Sequence, residues 1–125
     1  MAALVDTCGW IEWLVDGPLA ARFSDWLCAP EALVVPTVVQ FELYKWVKRE
    51  RDETIALEVI GFTYEAEVLP LTPHLALTAA DLALAHRLSF ADAVVYASAR
   101  QQRVLLVTCD DHFKGLEGVE YYPKP

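Results

Sequence analysis

Four acidic residues stand where this chain changes from one kind of element to another. Asp6 follows the apolar run Ala2-Ala3-Leu4-Val5, and Asp110 follows Val104-Leu105-Leu106-Val107 across Thr108 and Cys109. Glu42 falls in the second turn of a helical pattern that opens at Thr37, and Asp92 in the first turn of one that opens after Ser89. Each has an ordinary structural reading. Asp6 can cap the helix after it, Asp92 can complement a helix dipole, Asp110 with Asp111 can form a turn, and Glu42 can be solvated. Jointly they point elsewhere. Glu42 stands among Val38, Val39, Phe41, Leu43 and Trp46, and Asp92 among Phe90, Ala91, Ala93, Val94 and Val95. Helices so apolar almost all round are expected to be buried, and a buried carboxylate requires a partner. No Lys or Arg is adjacent to Asp6, Asp92 or Asp110. Carboxylates crowded without cations repel one another and take up protons. A divalent cation removes that conflict, and carboxylate and water oxygens suit Mg²⁺ or Mn²⁺.

The elements that must position these acids follow from the alternation of short apolar runs with longer helical patterns. Strands are expected over residues 2–6, 32–35, 66–71, 104–107 and, at an edge, 119–122. A helix bearing Trp10, Trp13 and Leu14 on one face follows the first strand. Asp16-Gly17-Pro18 breaks it, and a second helix covers residues 19–27. Further helices are expected over 37–51, 53–64, 73–88 and 90–102. Thr37 and Gln40 form a T-x-x-Q capping-box pattern, and Ser89 caps the last helix. The order predicts an α/β fold, a three-layer α/β/α sandwich around a mostly parallel sheet of four to five strands. Ligands of such sheets bind beyond the carboxyl ends of the strands, where Asp6 and Asp110 fall.

The 125 residues fit a single domain, residues 1–125, and 55% of them are hydrophobic, enough for a core without a disulfide or structural metal. Cys8, Cys28 and Cys109 are odd in number and form no CxxC pair, which excludes a disulfide framework and a zinc ribbon. No apolar run approaches the roughly 20 residues of a membrane span, and no basic region precedes an apolar N-terminal stretch. A cytoplasmic location without membrane attachment is expected. The net charge of −8 runs against the basic surface usual for nucleic-acid partners. It fits either a solubilising acidic surface or acids concentrated at a metal that reverses the local sign.

Four segments together carry a resemblance. They are Leu4-Val5-Asp6-Thr7, the run Val35-Pro36-Thr37-Val38-Val39-Gln40-Phe41-Glu42, Leu88-Ser89-Phe90-Ala91-Asp92-Ala93, and Leu106-Val107-Thr108-Cys109-Asp110-Asp111-His112-Phe113. In this order the chain resembles PIN-domain ribonucleases, in particular VapC-type toxins of prokaryotic toxin–antitoxin pairs, over essentially its whole length. The resemblance implies Mg²⁺- or Mn²⁺-dependent endoribonuclease activity, with Asp6, Glu42, Asp92 and Asp110 as metal-binding acids. Thr7 and Thr108 would support them. It also implies an RNA substrate, a cognate antitoxin protein and a homodimer. Two positions depart from the pattern: Cys8 replaces a small hydroxyl residue, and His112 stands where many members carry Asp.

Lys45, Trp46 and Arg49 share a helix face with Glu42 at i+3, i+4 and i+7, so Lys45 and Arg49 are candidates for RNA backbone contacts. A solvated, charged helix end is the competing account. For the chain as a whole the alternative is a PIN-like module that binds without cutting, to which the His112 departure lends weight.

Overall fold

The computed structural model describes residues 2–125. Its strands are β1 (Ala3–Val5), β2 (Val34–Pro36), β3 (Glu67–Leu69), β4 (Leu105–Thr108) and β5 (Val119–Tyr121). Its helices are α1 (Thr7–Leu14), α2 (Ala20–Leu27), α3 (Thr37–Glu50), α4 (Glu53–Thr63), α5 (Pro73–His86) and α6 (Phe90–Gln102). Two ladders, β1-β4-β5 and β2-β3, are parallel throughout. A parallel bridge between Ala3 and Leu33 joins them, giving the order β3-β2-β1-β4-β5. The helices pack as α1 with α2, α3 with α4, and α5 with α6. This is the layered α/β architecture expected from the alternation.

The order explains where a site can form. From β1 the chain steps outward to β2 and β3, then returns to the other side of β1 for β4 and β5. Between β1 and β4 the connections leave in opposite directions and open a crevice at the carboxyl ends. The register sets Ala3, Leu4 and Val5 against Leu105, Leu106 and Val107, and Asp6 N donates to Val107 O at 2.9 Å. Asp6 and Thr108 thereby end side by side. The strands can reach this deep because their side chains are apolar on both faces. Leu4, Val5, Leu106 and Val107 are buried, each contributing about 1.5–3 kcal/mol by leaving water.

Helix α1 crosses close to this edge because Gly9 lacks a side chain. A Cβ there would lie 2.5 Å from Phe23 Cε1 and 2.7 Å from Val5 Cγ1. A glycine inside a helix costs roughly 1 kcal/mol, and here it permits the contact that seats the helix. Trp10 is buried in the core, edge-on to Trp13 and Phe62 at 6.2 and 5.9 Å between ring centroids. Of the expected aromatic face only Leu14 is exposed.

Two expectations fail locally. The capping box at Thr37 and Gln40 does not form. Strand β2 runs straight into α3, so Pro36 occupies the cap and Thr37 is already helical. Gln40 instead donates to Thr63 Oγ1 at 3.0 Å, tying α3 to α4. Nor is the helix carrying Glu42 buried all round: α3 buries only the face of Val39, Leu43 and Val47, and Phe41 is 63% exposed. The helix carrying Asp92 is buried as expected over residues 93–99, while its first residue, Phe90, stands out at 69% exposed. The third strand is also shorter than expected, Glu67–Leu69, and stops before Pro70.

Candidate functional site

Asp6 is the centre of the crevice, and only 5% of its surface is exposed. It does two jobs with two oxygens. Oδ1 accepts from Thr7 N at 2.9 Å, capping α1, and Oδ2 accepts from the Thr108 hydroxyl at 2.8 Å. Thr108 Oγ1 in turn accepts from Asp110 N at 3.0 Å, which fixes the turn after β4. The cap reading of Asp6 is therefore satisfied, and its second oxygen ties β1 to the end of β4. Thr7, the first residue of α1, donates its hydroxyl to Glu42 Oε1 at 2.7 Å and so draws α3 to the same place. Thr7 and Thr108 thus hold acids from three different elements.

The remaining two acids approach from α6 and from the loop after β4. Asp92 lies in the first turn of α6, where its backbone N–H donates to Ser89 Oγ at 3.3 Å, the expected cap. Asp110 Oδ1 accepts from His112 N at 2.9 Å and caps a 3₁₀ turn, Asp111–Phe113. Phe113, the last residue of that turn, is fully buried and anchors it.

The electrostatics show how closely these groups meet. Burial is the main force raising the Asp6 carboxyl well above its ordinary range. The Cys8 thiol and Asp92 add to it, while the Thr108 and Thr7 hydrogen bonds oppose it. Asp92 is raised by burial and then by Asp110, with His112 and Ser89 pulling down and Glu42 pushing up. Among the described residues Asp6 has no ion-pair partner. The four acids named from the sequence are near enough to act on one another's charge, with Asp6 deeply buried and Glu42, Asp92 and Asp110 half-buried.

Among the described residues no Lys or Arg pairs with these acids, but the imidazole of His112 approaches two of them. His112 Nδ1 is 2.9 Å from Asp110 Oδ1 and 3.6 Å from Asp92 Oδ2. The 3₁₀ turn carries the ring back over the carboxylates, a local geometry that a D-x-H spacing permits but does not announce. Cys8, the other departure, accepts from Cys109 N at 3.3 Å and lies 3.4 Å from Thr108 Oγ1. Its thiol is pushed up by its contact with Cys109 and by burial. Cys8 therefore packs the floor beneath Asp6 as a neutral thiol.

Lys45 and Arg49 line a shallow cleft with Thr7, Ile11, Phe41, Glu42 and Trp46. Lys45 lies over the Phe41 ring at 5.8 Å, and Arg49 pairs with its neighbour Glu50 at 3.1 Å. Neither touches the acids. His74 and His86 are exposed and apart from the site. One donor atom each from Asp92, Asp110 and His112 lies within 4.8 Å of the others, an oxygen and nitrogen set that fits a divalent ion, while Asp6 and Glu42 stand outside that group. No helix among the described residues is long and apolar enough to cross a membrane.

Solved structures share this fold. A toxin–antitoxin complex from Klebsiella pneumoniae aligns with a TM-score of 0.81 at 22% identity, over 98% of this chain and 100% of that one. A sarcin–ricin-loop-cleaving VapC toxin from Mycobacterium tuberculosis aligns at 0.79 and 20% identity, over 98% and 100%. The FitAcB structure from Neisseria gonorrhoeae aligns at 0.77 and 21%, over 97% of each chain. No curated protein matches the sequence. The PIN domain family model matches residues 3–119, nearly the whole chain, and this protein belongs to the PIN domain family.

Proposed function

We propose that the chain is a Mg²⁺- or Mn²⁺-dependent endoribonuclease, the toxin of a type II toxin–antitoxin pair. One observation carries the reading. Asp6 is buried without a cation at the β1–β4 crevice, and Asp92, through its own field, pushes its carboxyl further up. Burying a charge in this way is costly unless it is compensated. Membership of the PIN family and the likeness to toxin–antitoxin structures support the same conclusion.

Asp6, Glu42, Asp92 and Asp110 would hold the ion. When bound, such an ion lowers the pKa of water and neutralises charge on a phosphoryl group. The protein's own residues supply the rest. The Thr7 hydroxyl holds Glu42 by Oε1 and leaves Oε2 open, and the Thr108 hydroxyl orients the Asp6 carboxylate by Oδ2. Lys45 and Arg49, in the adjoining cleft, offer positive charge to an RNA backbone. The open crevice suits a polymer that must lie across it. For protein partners, a cognate antitoxin and a second copy of the chain, two apolar surfaces are open: a groove lined by Leu14, Val15, Trp46, Val47 and Ile55, and the exposed group Phe41, Leu71 and Phe90.

The test is Asp6→Asn in an RNA cleavage assay with added Mg²⁺ or Mn²⁺ after chelation. The expected result is a loss of cleavage by about 10³-fold or more, equivalent to about 4 kcal/mol of barrier, with an unchanged circular dichroism spectrum. A folded variant that cuts as fast as wild type would overturn the reading.

A further inference from the structure

His112 brings a nitrogen donor to the carboxylate cluster. One donor atom from each of Asp92, Asp110 and His112 falls within 4.8 Å of the others. Its Nδ1 stands 2.9 Å from one of those oxygens and 3.6 Å from another. Around an octahedral ion with ligands at about 2.1 Å, adjacent donors lie ~3 Å apart and opposite ones ~4.2 Å. The His112 Nδ1 separations of 2.9 Å from Asp110 Oδ1 and 3.6 Å from Asp92 Oδ2 lie close to the range of one coordination shell, with the remaining donor separation within 4.8 Å. Their placement is built rather than accidental. The bond from His112 N to Asp110 Oδ1 and the buried anchor Phe113 hold the turn that aims the ring inward.

We propose that His112 is a nitrogen ligand of the divalent ion, and that it moves the centre's preference from Mg²⁺ toward Mn²⁺. The inference rests on the metal-nuclease reading above. Mg²⁺ is hard, keeps its waters and gains little from imidazole. First-row transition ions accept nitrogen as well as oxygen, and the affinity of a mixed site rises along that series. An aspartate at this position would add another hard oxygen and no such discrimination.

Binding of Mn²⁺, read by electron paramagnetic resonance on the purified protein with Mg²⁺ as competitor, tests the assignment in wild type, His112→Ala and Asp6→Asn. The ring is largely exposed, so its removal leaves the core intact. Bound Mn²⁺ in wild type is expected to show the spin-echo modulation of a directly coordinated nitrogen. His112→Ala is expected to lose that modulation, and its preference for Mn²⁺ over Mg²⁺ to fall about tenfold. Mn²⁺ bound without nitrogen modulation, or an unchanged preference in the variant, overturns the ligand role and leaves the carboxylate centre standing. A wild type that binds neither ion removes the underlying reading together with this one, as does Asp6→Asn binding both ions as well as wild type.

Discussion

At its carboxyl edge the β2–β3 half of the sheet closes with Pro36 and Leu69, whereas the β1–β4 half closes with Asp6, Thr108 and Asp110. Both halves are short and parallel, and β2 is as buried as β1, although β3 opens on the exposed Glu67. What differs is where the neighbouring connections go. Between β1 and β4 the connections diverge, and the gap admits α3 and α6 acids from either side. Beside β2 and β3 they run in one direction, and Gln40 and Thr63 close the layer with a hydrogen bond. The same architecture thus yields a sealed corner and an open one. Repelling charges are tolerated in the open corner because hydroxyls and, as proposed, an ion offset them.

Matched substitutions on the two sides sharpen this contrast. Thr108→Val keeps volume and removes the hydroxyl that Asp6 and the Asp110 amide both use. It is expected to weaken Mn²⁺ binding by about 10–100-fold, read by calorimetric titration. Leu69→Ala, at the corresponding end of β3, is expected to cost about 2–4 kcal/mol of stability and leave the ion affinity of the folded protein unchanged. Equal effects on affinity at both places would erase the distinction.

A smaller effect separates the acids from the cationic cleft beside them. Lys45→Ala with Arg49→Ala is expected to weaken RNA binding several-fold and to lower the slope of log affinity against log salt by about one for each phosphate no longer neutralised. Fluorescence anisotropy over a salt series on an uncleaved RNA measures it. An unchanged slope would assign these residues to a solvated helix end.

The smallest effect is on thermal stability. Asp6 and Asp92 are both raised in the folded protein, chiefly by burial. A raised carboxyl binds its proton more tightly when folded than when unfolded. The stability it adds is therefore full below the ordinary value of about 4 and is lost as pH rises through the folded value. In chelator, the Tm of wild type should fall as pH climbs through that window. Asp6→Asn should flatten the profile and lie a few degrees higher near neutrality, about 3–6 °C per kcal/mol. Scanning calorimetry across pH 4 to 8 checks the sign, and a wild-type Tm rising over that range would contradict it.

Much of this was legible in the chain because apolar runs and breakers are local signals. Val104 to Val107 reads as a buried strand wherever it occurs, and Asp110 then falls just past the end of a strand. The failures were of another kind. Thr37 looks like a cap only until β2 is seen to run directly into α3, which depends on how the sheet pairs. Exposure of Phe41 and Phe90 depends on which side of each helix the core covers, and an apolar run without a clear polar face does not encode that side. The approach of His112 to both Asp92 and Asp110 needs two elements to meet. The spacing alone could only mark it as a departure.

The pairing of β1 with β4 has a consequence for the chain's own synthesis. It joins Ala3 to Leu105 and Val5 to Val107, so the first strand emerges from a ribosome long before its neighbour exists. Asp6 has neither Thr108 nor Asp110 beside it until residues 108 and 110 have been added. A nascent chain consequently carries an incomplete set of acids over that whole stretch of elongation, and the centre closes only once β4 can dock.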